Sequence, residues 1–313
     1  MNQSKHLDVV VAGLALVDII GRPVDFHKPP KRGTLQLIDS VTLATGGNVS
    51  NVGIDLARLG FKVGAISKVG SDSFGRYVIQ HFRSNGLNTK GVIIDAKAQT
   101  SATIVGVDRS GERTFLHTRG CMKNFRADDI LRYIPLIRKA RIFAIGYLGL
   151  LPEVEKEFVK LFRILKKETG VKILLDTAAS PRVTNKELRG FLPYVDYFIP
   201  SYDEAVVLTG RKTPESIVEA LIYAGAPYVV GVKLAEKGCY ISDGRHNKFV
   251  RARSVKKVVD ATGAGDAFVA GFIAATLKGL DPFKAASVAN SVAASCISAV
   301  GASTAIRPLN EYL

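Results

Sequence analysis

Short runs that are apolar on both faces recur along the chain: Asp8–Ala12, Lys62–Ser67, Arg141–Ile145, Val171–Asp176, Tyr197–Ile199 and Pro227–Val232. A strand with one wet face alternates polar and apolar residues. One without alternation must be covered on both sides, as in a parallel sheet between helix layers. Between these runs lie stretches with helical spacing: Asn48–Leu59, Phe74–Ser84, Glu153–Glu168, Asp203–Leu208, Glu215–Ala224 and Asp266–Lys278. Strand–helix alternation predicts a three-layer α/β/α fold around a doubly wound, mostly parallel sheet. With 313 residues, 47% of them hydrophobic, the chain can bury such a core without disulfides or metal staples, as one domain over residues 1–313.

Two segments break the pattern. Gly21–Val41 and Ala98–Phe115 alternate, as in Thr34-Leu-Gln-Leu-Ile and Ser101-Ala-Thr-Ile-Val-Gly-Val. Alternation predicts strands with one wet face, outside the main sheet. They are expected to form a small β-sheet lid over a cleft, inserted at about residues 14–45 and 98–120.

Other features mainly exclude. The longest apolar run, Ala267–Leu277, is too short for a bilayer and reads as a buried helix, so no membrane partner is expected. The apolar run Val9–Val17 lies between Asp8 and Asp18 with no small-residue cleavage site after it, and reads as a strand rather than a leader. Cys121, Cys239 and Cys296 are widely spaced without a CxxC pair, which suggests reduced thiols and a cytoplasmic location. No HExxH or paired Cys/His spacing suggests zinc, and His6, His27, His81, His117 and His246 are scattered. The 43 Lys and Arg exceed the 28 Asp and Glu by 15. These basic residues are spread along the chain, with short clusters at Lys28–Arg32, Arg138–Arg141 and Arg251–Lys257 and no aromatic-interleaved stripe, so nucleic-acid binding is not expected.

The stretch Asp260-Ala-Thr-Gly-Ala-Gly-Asp266-Ala-Phe-Val-Ala-Gly271 carries the chemistry. It runs from a β-rich segment (Lys248–Val259) through glycines into a helix of small apolar residues. Gly263 and Gly265 leave backbone N–H groups uncovered at a helix N-terminus, whose partial positive charge suits a phosphate. Asp266 opens the helix, where the ionised carboxylate is favoured, and could take a proton from an attacking hydroxyl. An N-cap alone would not require both glycines together with Asp260 and Asp266. A dinucleotide fingerprint fails because Phe268 occupies the third glycine position, and a Walker A loop fails because the chain has no Gly-Lys dipeptide.

A second glycine pair lies in Thr45-Gly-Gly-Asn-Val-Ser-Asn51. Gly46 and Gly47 allow close backbone approach by a ligand, and Asn48 and Asn51 carry amides suited to sugar hydroxyls. Asp18, just after the first strand, could take hydroxyl protons from the same ligand.

The Asp260–Gly271 stretch closely resembles the second signature of the PfkB (ribokinase-like) carbohydrate kinases, and Gly46–Gly60 resembles their first. Lys68-Val-Gly-Ser-Asp-Ser-Phe-Gly75, Val232-Lys-Leu-Ala-Glu-Lys-Gly238 and the Ala-rich helix containing Asn290 are further echoes, in matching order from about residue 7 to 308. The resemblance implies transfer of the ATP γ-phosphoryl group to a hydroxymethyl group of a small sugar, with Mg²⁺. The alternative acceptor is a nucleoside such as adenosine, inosine or cytidine. It implies Asp266 as catalytic base and Gly263, Ala264 and Gly265 as anion hole. Asp18, Gly46, Gly47, Asn48 and Asn51 would contact the substrate, and Lys233, Gly238 and Asn290 would bind ATP. Glu204 would hold Mg²⁺ through water, and Asp260 with the carbonyl of Thr262 matches a loop that binds K⁺ in some members. Lids in this family often pair between subunits, which implies a homodimer.

Four departures stand out. Ser201 and Ala235 replace a common Asn and Gly of the Mg²⁺ and nucleotide segments. Asn48 falls where ribokinases often carry Lys, and Gly146-Tyr-Leu-Gly-Leu lacks their ribose-binding Glu. In the lid segment Gly111–Arg119, alternation places Arg113, Phe115 and His117 on one face. That face, with Arg119, could bind an acidic substrate, but reads better as a solvated strand face or subunit contact. A nucleoside would need aromatic stacking, for which Phe26, Phe115 and Tyr147 are the candidates.

Overall fold

The computed structural model describes residues 7–178 and 183–313; His6 lies outside them. Its strands, in chain order, are β1 (Val9–Gly13), β2 (Leu16–Arg22), β3 (Ser40–Gly46), β4 (Val63–Gly70), β5 (Asn88–Asp95), β6 (Ala102–Val107), β7 (Arg113–Thr118), β8 (Ile142–Leu148), β9 (Lys172–Thr177), β10 (Tyr197–Phe198), β11 (Val229–Lys233), β12 (Cys239–Ser242) and β13 (Asn247–Val250).

Nine strands form the main sheet, in the order β13-β12-β11-β10-β9-β8-β1-β4-β5. From β5 across to β11 they run parallel, and β12 and β13 close the far edge antiparallel. All the runs read as doubly covered strands lie in this sheet. β1 shows the cause: Val9 and Val11 pack into one core, Val10 and Ala12 into another. The first core joins the sheet to helices Asn48–Arg58, Ser73–Ser84, Ala264–Leu277 and Pro282–Cys296. The second joins it to Phe158–Thr169, Asn185–Phe191, Tyr202–Thr209 and Pro214–Tyr223. The three-layer fold is therefore as the alternation predicts. The helix expected over 153–168 is divided into Pro152–Glu155 and Phe158–Thr169.

A separate four-stranded sheet, β3-β2-β6-β7, makes the lid. The alternating run at Thr34–Ile38 is not part of it. β3 meets the end of β2 at the Arg22–Ser40 pair and the last bond to β2 is from Asp39 N–H, so Thr34–Ile38 lies beyond the end of β2, and Leu35 and Leu37 are 87% and 86% exposed. The β-rich segment expected over 248–259 likewise stops at Val250. Beyond it a side chain takes over from a ladder: the Asn290 amide donates to the carbonyls of Val250 (3.1 Å) and Arg251 (3.0 Å).

Two glycines set the helix starts that matter. Gly47 caps Asn48–Arg58 at φ 87°, and a Cβ there would lie 2.3 Å from the Leu14 carbonyl oxygen. Gly263 caps Ala264–Leu277 at φ 80°, and a Cβ would lie 2.5 Å from that of Ala302. An L side chain fits neither position.

Candidate active site

Parallel α/β sheets present side chains at the carboxyl ends of their strands. Here Tyr147, Asp176 and Lys233 sit at the ends of β8, β9 and β11, and Asp266 meets them from the first turn of Ala264–Leu277. Asp266 Oδ2 accepts from Asn51 Nδ2 at 2.8 Å and from the Tyr147 hydroxyl at 2.7 Å. Its Oδ1 is buried and has no hydrogen-bond partner among the described residues. Burial pushes the Asp266 carboxyl up to about 6, and the charge of Asp176 adds to the rise, against the pull of Asn51, Tyr147 and Lys233. The helix N-terminus by itself favours the ionised form. Desolvation outweighs it, because the carboxylate is inside the protein rather than at its surface.

Lys233 is also buried. Its ammonium donates to Asp176 Oδ1 at 2.9 Å. Burial alone would lower it; Asp176, Glu204 and Asp266 outweigh that and hold it raised, hence protonated. A Cβ built on Gly265 would lie 3.6 Å from Lys233 Nζ, so the ammonium flanks the 263–265 turn. Buried cation, helix N-terminus and glycines thus converge where a phosphate would be neutralised.

Glu204 accepts from the Ser201 backbone N–H at 3.1 Å and from the Thr177 hydroxyl, so one of its oxygens caps the Tyr202–Thr209 helix. Ser201, where the family has Asn, bridges in parallel to Lys233. Among the described residues no group of three or more His, Cys, Asp or Glu could cage a metal ion.

On the lid side, burial raises the Asp18 carboxyl, opposed by the Thr103 hydroxyl and by Arg113. Gly46 leaves it room: a Cβ there would lie 2.5 Å from Asp18 Oδ2. Asn48 is a correction. Its Nδ2 donates to the Ala12 carbonyl at 2.7 Å and its Oδ1 accepts from Leu14 N–H at 2.8 Å, so this buried amide is taken up in stitching the crossover from β1 to β2. Asn51, read as a sugar contact, also orients Asp266. Gly238 and Asn290, read as nucleotide contacts, both hold the 250–252 segment. A Cβ on Gly238 would lie 2.1 Å from the Val250 carbonyl oxygen, and the Asn290 amide is bonded there.

On the lid strand β7, Phe115 and His117 are exposed, as the solvated-face reading expects, and Arg113 departs from it. Arg113 is neither solvated nor free for a subunit contact: it reaches the body, pairing with Asp260 Oδ2 at 2.6 Å and donating to the Thr262 hydroxyl. Asp260 further accepts from the backbone N–H groups of Thr262 (2.9 Å) and Gly301 (3.0 Å). Burial alone would raise its carboxyl; these donors hold it at about 2. Cys121, Cys239 and Cys296 are all buried and unpaired.

Sequence reading missed Asp176 and the Tyr147 contact. Asp176 had a signal, as a carboxylate closing an otherwise apolar strand at the ligand-binding end. Tyr147 had none, since its partner is 119 positions away.

The comparisons agree with this architecture. A family model described as pfkB family carbohydrate kinase matches residues 6–308. The chain is 28% identical to the 2-dehydro-3-deoxygluconokinase of Bacillus subtilis (strain 168), over 86% of this chain and 85% of that one. It is 30% identical to fructokinase-1 of Oryza sativa subsp. japonica, over 72% of each. It is 27% identical to the ribokinase of Haemophilus influenzae, over 92% and 91%. Among solved structures, Arabidopsis thaliana ribokinase complexed with ribose and ATP superposes with a TM-score of 0.82 at 22% identity, covering 98% of this chain and 97% of that one. With the family model matching almost end to end, the chain belongs to the pfkB family and is a carbohydrate kinase.

Proposed function

We propose that the chain moves the γ-phosphoryl group of ATP to a hydroxymethyl group of a small sugar, with Asp266 as the base. The observation that carries this is the buried, unpartnered Oδ1 of Asp266, beside a helix N-terminus flanked by the Lys233 ammonium. A sugar hydroxyl donating to Oδ1 would satisfy that atom and lie in reach of a phosphate on the 263–265 turn. Oδ2, held by Asn51 and Tyr147, fixes the carboxylate plane. The proton passes from hydroxyl to Oδ1 as the oxygen attacks phosphorus and ADP leaves. Positioning and charge stabilisation supply most of the catalysis in such transfers.

The carboxylates of Asp176 and Glu204 beside Lys233 suit Mg²⁺ carried on nucleotide phosphates, with Glu204 acting through water; few protein ligands are the rule for this ion. When bound it would neutralise charge on the transferring group. Asp18 is the proposed hydroxyl acceptor on the lid side of the sugar, with Gly46 keeping the approach open.

A sugar fits better than a nucleoside because the aromatic candidates are largely committed elsewhere. Tyr147 holds Asp266, and the Phe26 ring lies 2.3 Å from where a Gly106 Cβ would stand. Phe115, 59% exposed, is the one left over.

ADP release would be followed with fructose, ribose, 2-dehydro-3-deoxygluconate, myo-inositol, phosphosugars and nucleosides as acceptors. One strong sugar acceptor is expected, and a preference for nucleosides would overturn the reading. Asp266→Asn should lower kcat by about 10²-fold or more while ATP still binds. Near-normal kcat would remove Asp266 as the base.

A further inference from the structure

A K⁺ ion held by Asp260 and the Thr262 carbonyl is what the resemblance implies, and the residues present do not fit it. Asp260 Oδ1 accepts from the Thr262 amide, and Oδ2 accepts from the Gly301 amide and from Arg113. The Thr262 hydroxyl accepts from Arg113, while Cys296 Sγ, 3.4 Å from the Thr262 carbonyl, has its single S–H nearer the Ala302 carbonyl at 2.9 Å. Donors engage both carboxylate oxygens and the Thr262 hydroxyl, and a full positive charge already stands on the carboxylate. The Asp260 side chain is 5% exposed and that of Arg113 is 21%. An ionised carboxylate this buried needs a counter-charge, and the lid provides it.

We infer that Arg113 is the built-in cation of the phosphate turn: a positioning residue whose guanidinium, delivered by the lid strand β7, holds Asp260 and Thr262 in place of a free monovalent ion. Gly263, the helix cap with φ 80°, follows Thr262 directly. The clamp therefore fixes the residue from which the 263–265 amides hang. Misplacing such donors by an ångström is enough to cost a large part of a rate. Arg113 and Asp260 are 147 positions apart, one on a lid strand and the other on the loop before the Ala264–Leu277 helix, so lid closure and ordering of the turn become one event. Arginine suits this better than lysine, because its planar fork can bond the carboxylate and the hydroxyl together.

The inference rests on reading the 263–265 turn as the phosphate site, and its test separates the two. The full-length chain and Arg113→Ala are compared in potassium chloride and in tetramethylammonium chloride at equal ionic strength, by ATP turnover with the accepted sugar and by melting temperature. The unsubstituted chain should turn over equally in both salts, within about twofold. Arg113→Ala should lose at least about tenfold in tetramethylammonium and recover most of that in potassium, the ion entering the space the guanidinium left. A purely structural role would give a loss that potassium does not reverse, and that result overturns the inference. So does potassium activation of the unsubstituted chain, or a variant that matches it in both salts. If no acceptor supports turnover in either salt, the proposed acceptor and base fail and melting decides the clamp. Potassium should then raise Tm by about 2 °C or more for Arg113→Ala and leave the unsubstituted chain unmoved; an equal response of the two proteins overturns it.

Discussion

The environment of Asp266 fixes the pH at which the chain can work. A base must be ionised to accept a proton, and burial has brought this carboxyl up to about 6, so turnover should fall as pH drops through that value. The Tyr147 hydroxyl bonds the ionised form and pulls the value down. Tyr147→Phe removes that bond and should move the acid limb of kcat/KM to higher pH, by about half to one pH unit. At pH 8.5 the carboxyl would be ionised in both proteins, and kcat should return close to that of the unsubstituted chain. A limb that stays near 6 would mean that another group sets it. The same shift governs stability with the opposite benefit. The folded carboxyl holds its proton to higher pH than the unfolded one, whose ordinary value is 3.8. Folding is therefore favoured by protonation, and stability on the order of 3 kcal/mol is lost as pH rises from about 4 through 6. The site is strained electrostatically in the state in which it acts.

At the scale of elements, the parallel sheet was legible because its strands are buried on both faces, and period alone reveals that. The lid was legible as strands, but not every alternating run in it is one. Thr34–Ile38 alternates as well as β6 does, yet only partners turn a pattern into a strand, and β2 ends too soon to pair with it. Asn48 misled for a related reason: a short amide beside two glycines suits a ligand and suits a backbone crossover, and only the position of Ala12 and Leu14 tells them apart. The lid also shows a row that no local function uses. Leu43, Ile19, Ile104 and Leu116 stand opposite one another across the four strands, with Leu43 46%, Ile104 50% and Leu116 56% exposed. Such a row is expected to be covered by a second copy of the chain. Sedimentation should give a dimer at micromolar concentration, and Ile104→Lys with Leu116→Lys should give a folded monomer. An unsubstituted chain that sediments as a monomer would leave the row unexplained.

Over the whole molecule, the site draws together positions far apart in the chain: Asn51 and Asp266 are 215 apart, Asp176 and Lys233 are 57 apart. Glycines and a carboxylate in one stretch betray their chemistry locally, which is why the turn was readable. The counter-ion and the groups that hold the base are set by which strand lies beside which, and no single window carries that. The net charge of +15 is likewise a property of the whole rather than of the site. Spread over the surface, it gives a field that attracts any polyanion without distinguishing among them. ATP should feel that field and a neutral sugar should not. Raising salt at constant Mg²⁺ should thus lower kcat/KM for ATP by about two- to fivefold as the Debye length shrinks, with KM for the sugar unchanged. Any duplex DNA drawn by the same field should be held weakly, without sequence preference, and be released by the same salt. If DNA binding survived with discrimination between sequences, the charge would be a recognition surface. If ATP showed no salt dependence, the basic residues would lie too far from the cleft to steer it.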